Sequence, residues 1–211
     1  MYEVYEQPLN DATVGENVIL IDVLRAATMA AVILSKNPLS YFVSARDNKI
    51  TELYSKNKTA LTVGGPEYTY PNSPYRVWDA NLEDRLVLHR SHALGSMLDR
   101  YNNRNVLVCG FCNVEATSQY VKKSNKDWSI VCCGFRGEER NEEDKYCASI
   151  LTDSVQQDQN EIYKNLQDSV SLKIFEDNLP DYPKKDIELC FTLNLVSFAI
   201  TAKNNILTKG D

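Results

Sequence analysis

The sequence predicts an α/β protein: a single three-layer α/β/α domain over residues 1–211, built on a mainly parallel central sheet. Three observations predict it. Short unbroken aliphatic runs, which read as strands buried on both faces, alternate with longer helix-forming stretches. The connections between them are short, as a parallel sheet covered by helices requires. No repeat, low-complexity tract or linker divides the chain, and 211 residues with 43% hydrophobic content can bury an ample core.

Asn17-Val-Ile-Leu-Ile-Asp22 supplies the first strand, 17–22, because four apolar residues end on one carboxylate. Val23 to Leu34 is apolar nearly all round and rich in Ala and Leu, so 23–36 reads as a buried helix. The same alternation places strands at 39–45, 60–63, 85–89, 105–110 and 128–133. It places helices at 46–57, 91–102, 112–124 and 141–157. Gly64-Gly-Pro-Glu-Tyr-Thr-Tyr-Pro-Asn-Ser-Pro74 is dense in turn formers and too long for a hairpin turn, so it reads as a functional loop. From Val155 to Asn178 the chain is polar and helix-prone with few apolar anchors. Leu179 to Lys185 is a loop, Asp186 to Asn194 an amphipathic helix, and Val196 to Ala202 a closing strand.

The junction at Asp22 is the sharpest chemical signal. It sets a carboxylate at the carboxyl end of a central strand, beside a helix N-terminus whose free N–H groups attract anions. In open α/β sheets that edge is where ligands sit. Asp22 can hold a hard cation, and Arg25, three positions on, can fork onto a phosphate or carboxylate. The plain alternative is that Asp22 caps the helix, although a cap does not call for the arginine.

A net charge of −6 argues against nucleic acid as a partner. No run approaches the ~18 apolar residues of a membrane span. The opening Met1-Tyr-Glu-Val-Tyr-Glu-Gln lacks a basic segment followed by an apolar one, so a cytoplasmic protein is expected. The six cysteines lie mostly in apolar surroundings and are expected to be reduced and buried.

Taken in order, these landmarks resemble the 2-phosphosulfolactate phosphatase family. Ile-Asp-Val-Leu-Arg-Ala-Ala-Thr (21–28) is similar to its Ile-Asp-Val-Leu-Arg-Ala-Thr signature, and Pro71-Asn-Ser-Pro74 to its Gly-Asn-Ser-Pro loop. Val131-Cys-Cys-Gly-Phe-Arg-Gly137 with Glu142-Glu143 resembles its Val-Cys-Ala-Gly-x-x-Gly strand and Glu-Asp pair, and Asp186 to Phe191 its closing helix. The resemblance implies a small α/β fold and a Mg²⁺-dependent phosphatase acting on a phosphorylated 2-hydroxy acid that bears a sulfonate. Three positions depart from the family pattern. Thr69 stands where the family loop has an acid, Arg90-Ser-His-Ala-Leu94 replaces Thr-Thr-Asn-Gly-Thr, and Glu143 replaces the Asp of the pair. A glycine-rich turn lets backbone amides approach a phosphate, and Ala93-Leu94 is expected to narrow that option.

Phosphate-ester hydrolysis needs charge neutralisation at the phosphoryl oxygens, an attacking group and help for the leaving alkoxide. Asp22 with Glu142 or Glu143 could supply oxygen ligands for one Mg²⁺. Arg25, Arg90 and Arg136 all fall at or just beyond strand ends and could reach one anion, with Asn72 and Ser73 adding neutral hydrogen bonds. His92 could protonate the leaving oxygen. The acidic run at 142–144 also reads as an ordinary first helical turn favoured by the helix dipole. His89 and His92 with Cys109 and Cys112 form only a weak zinc pattern. Neither Cys133 and Arg140 nor Cys132 and Arg136 has the spacing of a cysteine-nucleophile phosphatase, which excludes that mechanism. Asp22 is open to two roles, an aspartyl nucleophile or a Mg²⁺ ligand. The absence of a second Asp two positions on favours the second. The rival reading is a protein that keeps the phosphate pocket, has lost turnover, and binds a phosphorylated small molecule such as a nucleotide signal. A homodimer is compatible with either.

Overall fold

The computed structural model describes residues 2–5, 14–134, 141–153, 155 and 158–210. The aliphatic run at Asn17–Ile21 forms strand β2, and Tyr2–Tyr5 forms β1 at the sheet edge. Helix α1 (Ala26–Ser35) buries every residue from Ala26 to Leu34, as its all-round apolar sequence demands. It begins three residues later than the composition suggests. Val23 to Arg25 instead form a turn, closed by the Ala27 N–H donating to the Asp22 carbonyl at 2.9 Å.

Beyond α1 the chain forms β3 (Ser40–Ser44), α2 (Asp47–Lys56), β4 (Leu61–Gly64), β5 (Tyr70–Pro71), α3 (Pro74–Val77) and β6 (Leu86–Arg90). There follow α4 (His92–Arg100), β7 (Asn105–Cys109), α5 (Val114–Ser124), β8 (Trp128–Cys132) and α6 (Glu142–Leu151). The segment that read as polar and weakly anchored holds α7 (Gln159–Leu166) and α8 (Val170–Glu176). Its sparse anchors suffice: Ile162 and Leu166 sit in one apolar cluster with Cys147, Ile150 and Leu151 of α6. Helix α9 (Lys184–Cys190) and strands β9 (Ala199–Lys203) and β10 (Ile206–Gly210) complete the order.

Among the described residues the strands form one sheet in the order β1-β8-β2-β7-β9-β10-β3-β6-β4-β5. Its pairs are mostly parallel, but β9 runs antiparallel to β7 and to β10, and β10 antiparallel to β3. The sheet is mainly parallel as expected, with an antiparallel interruption at its centre. A hairpin sits there, turned by Asn204 (φ 51°) and Asn205 (φ 64°), the left-handed pair a two-residue turn requires. Asn-Asn between two apolar runs was a readable hairpin signal.

The hairpin has a geometric consequence for the site. Following the pairings from β7 through β9 and β10 to β3, the block β3-β6-β4-β5 runs opposite in sense to β1-β8-β2-β7. In a flat sheet their carboxyl ends would lie on opposite edges. A twist of about 20–25° per strand, accumulated over the steps from β2 to β6, turns them through roughly 100° and lets both blocks contribute to one cavity.

Alternate residues of the strands feed two apolar clusters, as the period of two requires. Val18, Leu20, Val106, Val108 and Val131 join α1 in one, while Ile19, Ile21, Leu107, Ile130 and Cys132 join α6 and α7 in the other. Gly95 shows how tightly α4 is laid on β3: a Cβ there would stand 2.3 Å from the Ala45 nitrogen and 2.4 Å from the Ser44 carbonyl carbon. Backbone cannot give way as a side chain can, so Gly95→Ala is expected to cost about 1–3 kcal/mol despite alanine's better helix propensity. Urea unfolding would show it as a lower midpoint, and an unchanged midpoint would mean that α4 can slide off β3 freely.

Candidate active site

A cavity of about 300 Å³ opens where the carboxyl ends of β2, β4, β6 and β8 converge. Asp22, Arg25, Gly64, Asn72, Arg90, Ser91, His92, Gly134, Glu143 and Asp144 all line it. Residues 42 to 122 positions from Asp22 in sequence, Gly64 to Asp144, therefore reach it only through the sheet topology.

Asp22 lies just past β2, and its Oδ1 accepts the Ala26 N–H of α1 at 3.0 Å. The Leu94 N–H of α4 also favours its charged form, so the carboxylate sits between two helix N-termini. Both the capping and the site readings of Asp22 describe its position. Burial still dominates and raises its pKa to about 6 against these donors and Arg25.

The second and third carboxylates come from the start of α6. Glu143 is pushed to about 7, first by burial, with the neighbouring Glu142 and Asp22 charges adding to it, and its Oε2 accepts the Ser171 hydroxyl of α8 at 2.7 Å. Asp144 is raised well above the ordinary carboxylate range by burial and by Glu143 and Asp22. Its two oxygens accept the N–H groups of Val23 and Gly134 at 2.9 and 3.0 Å, tying α6 to the β2 junction and to the end of β8. Glu142, read as an alternative ligand, is exposed and does not line the cavity. The helical period explains this: adjacent positions on α6 face about 100° apart, so the wall takes 143 and 144 and leaves 142 in solvent.

Arg25 caps α1, after a cis Leu24–Arg25 peptide bond. Its Nη1 donates to Asp186 Oδ2 at 2.6 Å and to the Asp181 carbonyl at 2.8 Å. Its guanidinium lies over the Tyr182 and Phe175 rings, 4.9 and 5.5 Å from their centroids. Asp186 is fully buried and was not singled out from the sequence. Nothing local marks it, because its partners are over a hundred positions away. Its other oxygen accepts the Ser73 hydroxyl at 2.7 Å and the Tyr75 N–H at 3.0 Å. Ser73, expected at the phosphate, is thus committed to Asp186 and to capping α3, and it does not line the cavity. Its neighbour Asn72 does.

Arg90 lies at the rim, with Nε 2.6 Å from Asp47 Oδ1 and Nη2 donating to His92 Nε2 at 2.8 Å. His92 therefore accepts at Nε2, and a proton for a leaving group would have to come from Nδ1. Arg136 lies outside the described residues. The chain does not bring His89 and His92 together with Cys109 and Cys112 as ligands. His89 is bonded to Tyr41 and Asn72, and among the described residues no three His, Cys, Asp or Glu groups converge as a ready-made metal cluster.

The family departures also find places. Thr69 exchanges hydrogen bonds with Thr62, its N–H donating to Thr62 Oγ1 at 2.9 Å, and does not line the cavity. His92-Ala93-Leu94 open α4, whose first turn offers backbone N–H groups in helical conformation with no glycine needed.

The family model for 2-phosphosulpholactate phosphatase matches residues 3–205. The chain belongs to this family. Two curated relatives bear the name "Probable 2-phosphosulfolactate phosphatase". The one from Thermoplasma volcanium is 26% identical over 84% of this chain and 85% of its own length. The one from Caldanaerobacter subterraneus subsp. tengcongensis is 25% identical over 98% of this chain and 95% of its own. No helix among the described residues is long and apolar enough to cross a membrane.

Proposed function

We propose that this chain hydrolyses the phosphate ester of a small anionic acid, a phosphorylated 2-hydroxy acid of the 2-phosphosulfolactate type, with Mg²⁺ as cofactor. We read it as one cytoplasmic three-layer α/β/α domain, a reading supported by one sheet that takes strands from residue 2 to residue 210. The observation that carries the function is the placing of Asp22 between the N-termini of α1 and α4, with Arg25 and two further buried carboxylates in the same cavity. Two helix N-termini and arginines beside desolvated carboxylates suit a phosphoryl group together with a hard cation. They do not favour a nucleotide binder that has lost turnover. The features that motivated that rival, Thr69 and His92-Ala93-Leu94, leave the cavity walls and the helix N-termini intact.

The donor set fits Mg²⁺. Its requirement is for one or two carboxylates with waters and phosphate oxygens, not for an all-protein cage. Asp22 and Glu143 are the residues that would hold the ion, while Asp144 gives both its oxygens to the Val23 and Gly134 N–H groups. When bound, the ion supplies positive charge to the phosphoryl oxygens. The chain's own residues do the rest. The positive ends of α1 and α4 favour an oxyanion beside Asp22, and Arg25 neutralises charge that develops in the transition state. Arg90 screens the rim. Glu143 is needed unprotonated for the ion, so the proton for the leaving alkoxide falls to His92 Nδ1.

The reading is tested by phosphate release from a panel of phosphorylated hydroxy acids and nucleotides, with Mg²⁺ and with chelator. Chelator-sensitive release from the hydroxy acids supports it, whereas release from none, with one ligand family giving a large thermal shift, would overturn it. A pH prediction follows from the raised carboxylates. Between about pH 5 and 7, protons and Mg²⁺ compete for Asp22 and Glu143, so the Mg²⁺ needed for half-saturation should rise as pH falls, about tenfold per unit for each proton displaced. Calorimetric titration in buffers of different ionisation enthalpy would register the released protons. A Mg²⁺ affinity flat across that range would remove these carboxylates from the metal site.

A further inference from the structure

His89 takes no part in the chemistry outlined above, yet it is a fully buried imidazole one step behind the cavity wall. It lies on β6 between Val43 of β3 and Val63 of β4, in a core where a hydrocarbon would pack as well. Both its nitrogens are used. Nδ1 is 2.6 Å from the Tyr41 hydroxyl and Nε2 is 3.0 Å from Asn72 Oδ1. The Tyr41 and His89 rings stack with planes 11° apart, which fixes the imidazole in its slot. Asn72 is held independently at its backbone, where its N–H donates to the Gly64 carbonyl at 2.7 Å.

The hydrogen-bond roles in this row follow from what each atom can do. Asn72 Oδ1 can only accept, so Nε2 carries the proton. Nδ1 then bears the lone pair, and the Tyr41 hydroxyl must donate to it. Burial, and then the charge of Arg25, lowers the His89 pKa to about 3, while burial first, with the Asp22 charge adding, raises that of Tyr41 well above 10.0. All three side chains are therefore neutral across the working range, and the row keeps one direction. Because Oδ1 is turned to the histidine, Nδ2 is turned away from it, and it has no partner among the described residues. Asn72 lines the cavity.

We propose that His89 is a positioning residue that locks the Asn72 amide with its two N–H donors presented to an oxyanion of the ligand. This rests on the proposed function only in that the cavity must take an oxyanion. The reverse orientation would present the amide carbonyl, which repels every oxygen of a phosphate, sulfonate or carboxylate. An unlocked asparagine would spend part of its time in that orientation, and preorganisation removes this loss. Tyr41 serves at one remove, by holding the tautomer.

The direct test is the ¹⁵N spectrum of the imidazole nitrogens in the whole protein. The chain has 2 histidines, so His89→Gln identifies the His89 signals. The expected result is the Nε2-protonated neutral form, unchanged between about pH 5 and 8. An Nδ1-protonated form, or titration in that range, would overturn the proposal. The functional arm measures binding of inorganic phosphate in the presence of Mg²⁺. Asn72→Ala should weaken it by about tenfold, the scale of one hydrogen bond to a charged group. Tyr41→Phe with His89→Leu, which removes the relay without leaving a buried phenol unpaired, should weaken it comparably. His89→Gln, whose amide can still donate to Oδ1, should stay near wild type. Adding Asn72→Ala to the Tyr41→Phe, His89→Leu pair should cost nothing more, because both act through one amide. Independent, additive losses, or wild-type binding by Asn72→Ala, would overturn the inference. No turnover of any phosphorylated acid, with phosphate binding still lost in Asn72→Ala, would sink the phosphatase reading and support this one. A wild type that binds no phosphate would overturn both.

Discussion

Asp22→Asn is expected to abolish turnover, by at least ~10³-fold, while raising the melting temperature of the metal-free protein at about pH 8. The loss of activity follows from removing the charge that stands between two helix N-termini in the cavity. The gain in stability follows from the sign of its pKa shift. Asp22 is raised from 3.8 to about 6 in the folded chain, chiefly by burial. Folded protein therefore binds the proton more tightly than unfolded protein does, so stability falls as pH rises between about 4 and 6 and stays lower above that. Two pKa units correspond to roughly 3 kcal/mol, a penalty that the neutral asparagine does not carry. Its amide oxygen still accepts the Ala26 N–H, so the start of α1 keeps its cap. Melting curves in chelator should show a gain of a few degrees per kcal/mol at about pH 8, shrinking to nothing near pH 4. A variant that unfolds more easily at pH 8 would make Asp22 a structural cap first and a site residue second.

Arg25→Met is expected to lose both ligand binding and roughly 3–5 kcal/mol of stability. The stability loss comes from Asp186. That carboxylate is 0% exposed, and its ion pair with Arg25 Nη1 at 2.6 Å is the charge that balances it. Without it, the Ser73 and Tyr75 donors remain but a buried negative charge stands unpaired. The Phe175 and Tyr182 rings lose the guanidinium between them, so α8 and the 179–183 loop lose their tie to the β2 junction. Adding Asp186→Asn removes the unpaired charge and should recover much of the stability in urea unfolding, with no recovery of turnover. If Arg25→Met alone unfolds like wild type, the buried pair is not what holds the 159–190 segment over the cavity. If the double variant turns over substrate, Arg25 is not in the site.

Much of the site's frame was legible because it is local. Asp22, the α1 N-terminus and Arg25 fall within four residues, and a buried aliphatic run followed by an all-apolar helix leaves little choice about where the carboxylate goes. The α6 start was legible as an acidic helical turn, but which of its three acids enters the cavity depends on how α6 docks on β2 and β8. The answer is Glu143 and Asp144. Ser73 and Asn72 are adjacent and chemically alike as donors, so sequence offered both. The cap of α3 and the Asp186 carboxylate claim the serine, leaving the asparagine to the cavity.

Local pattern was enough for the α/β class and for the strand-end carboxylate with its arginine, both of which rest on periodicity or spacing over a few residues. The ordered motifs resembled a phosphatase family, and the match over residues 3–205 shows the membership. Tertiary structure alone decided that the 199–210 hairpin inserts at the sheet centre, the opposed senses of the two parallel blocks, and the Arg25–Asp186 and His89–Asn72 partnerships. Those are set by pairing between segments tens to more than a hundred residues apart, whose free energy comes from burial and hydrogen bonding across the fold and leaves no trace in local pattern.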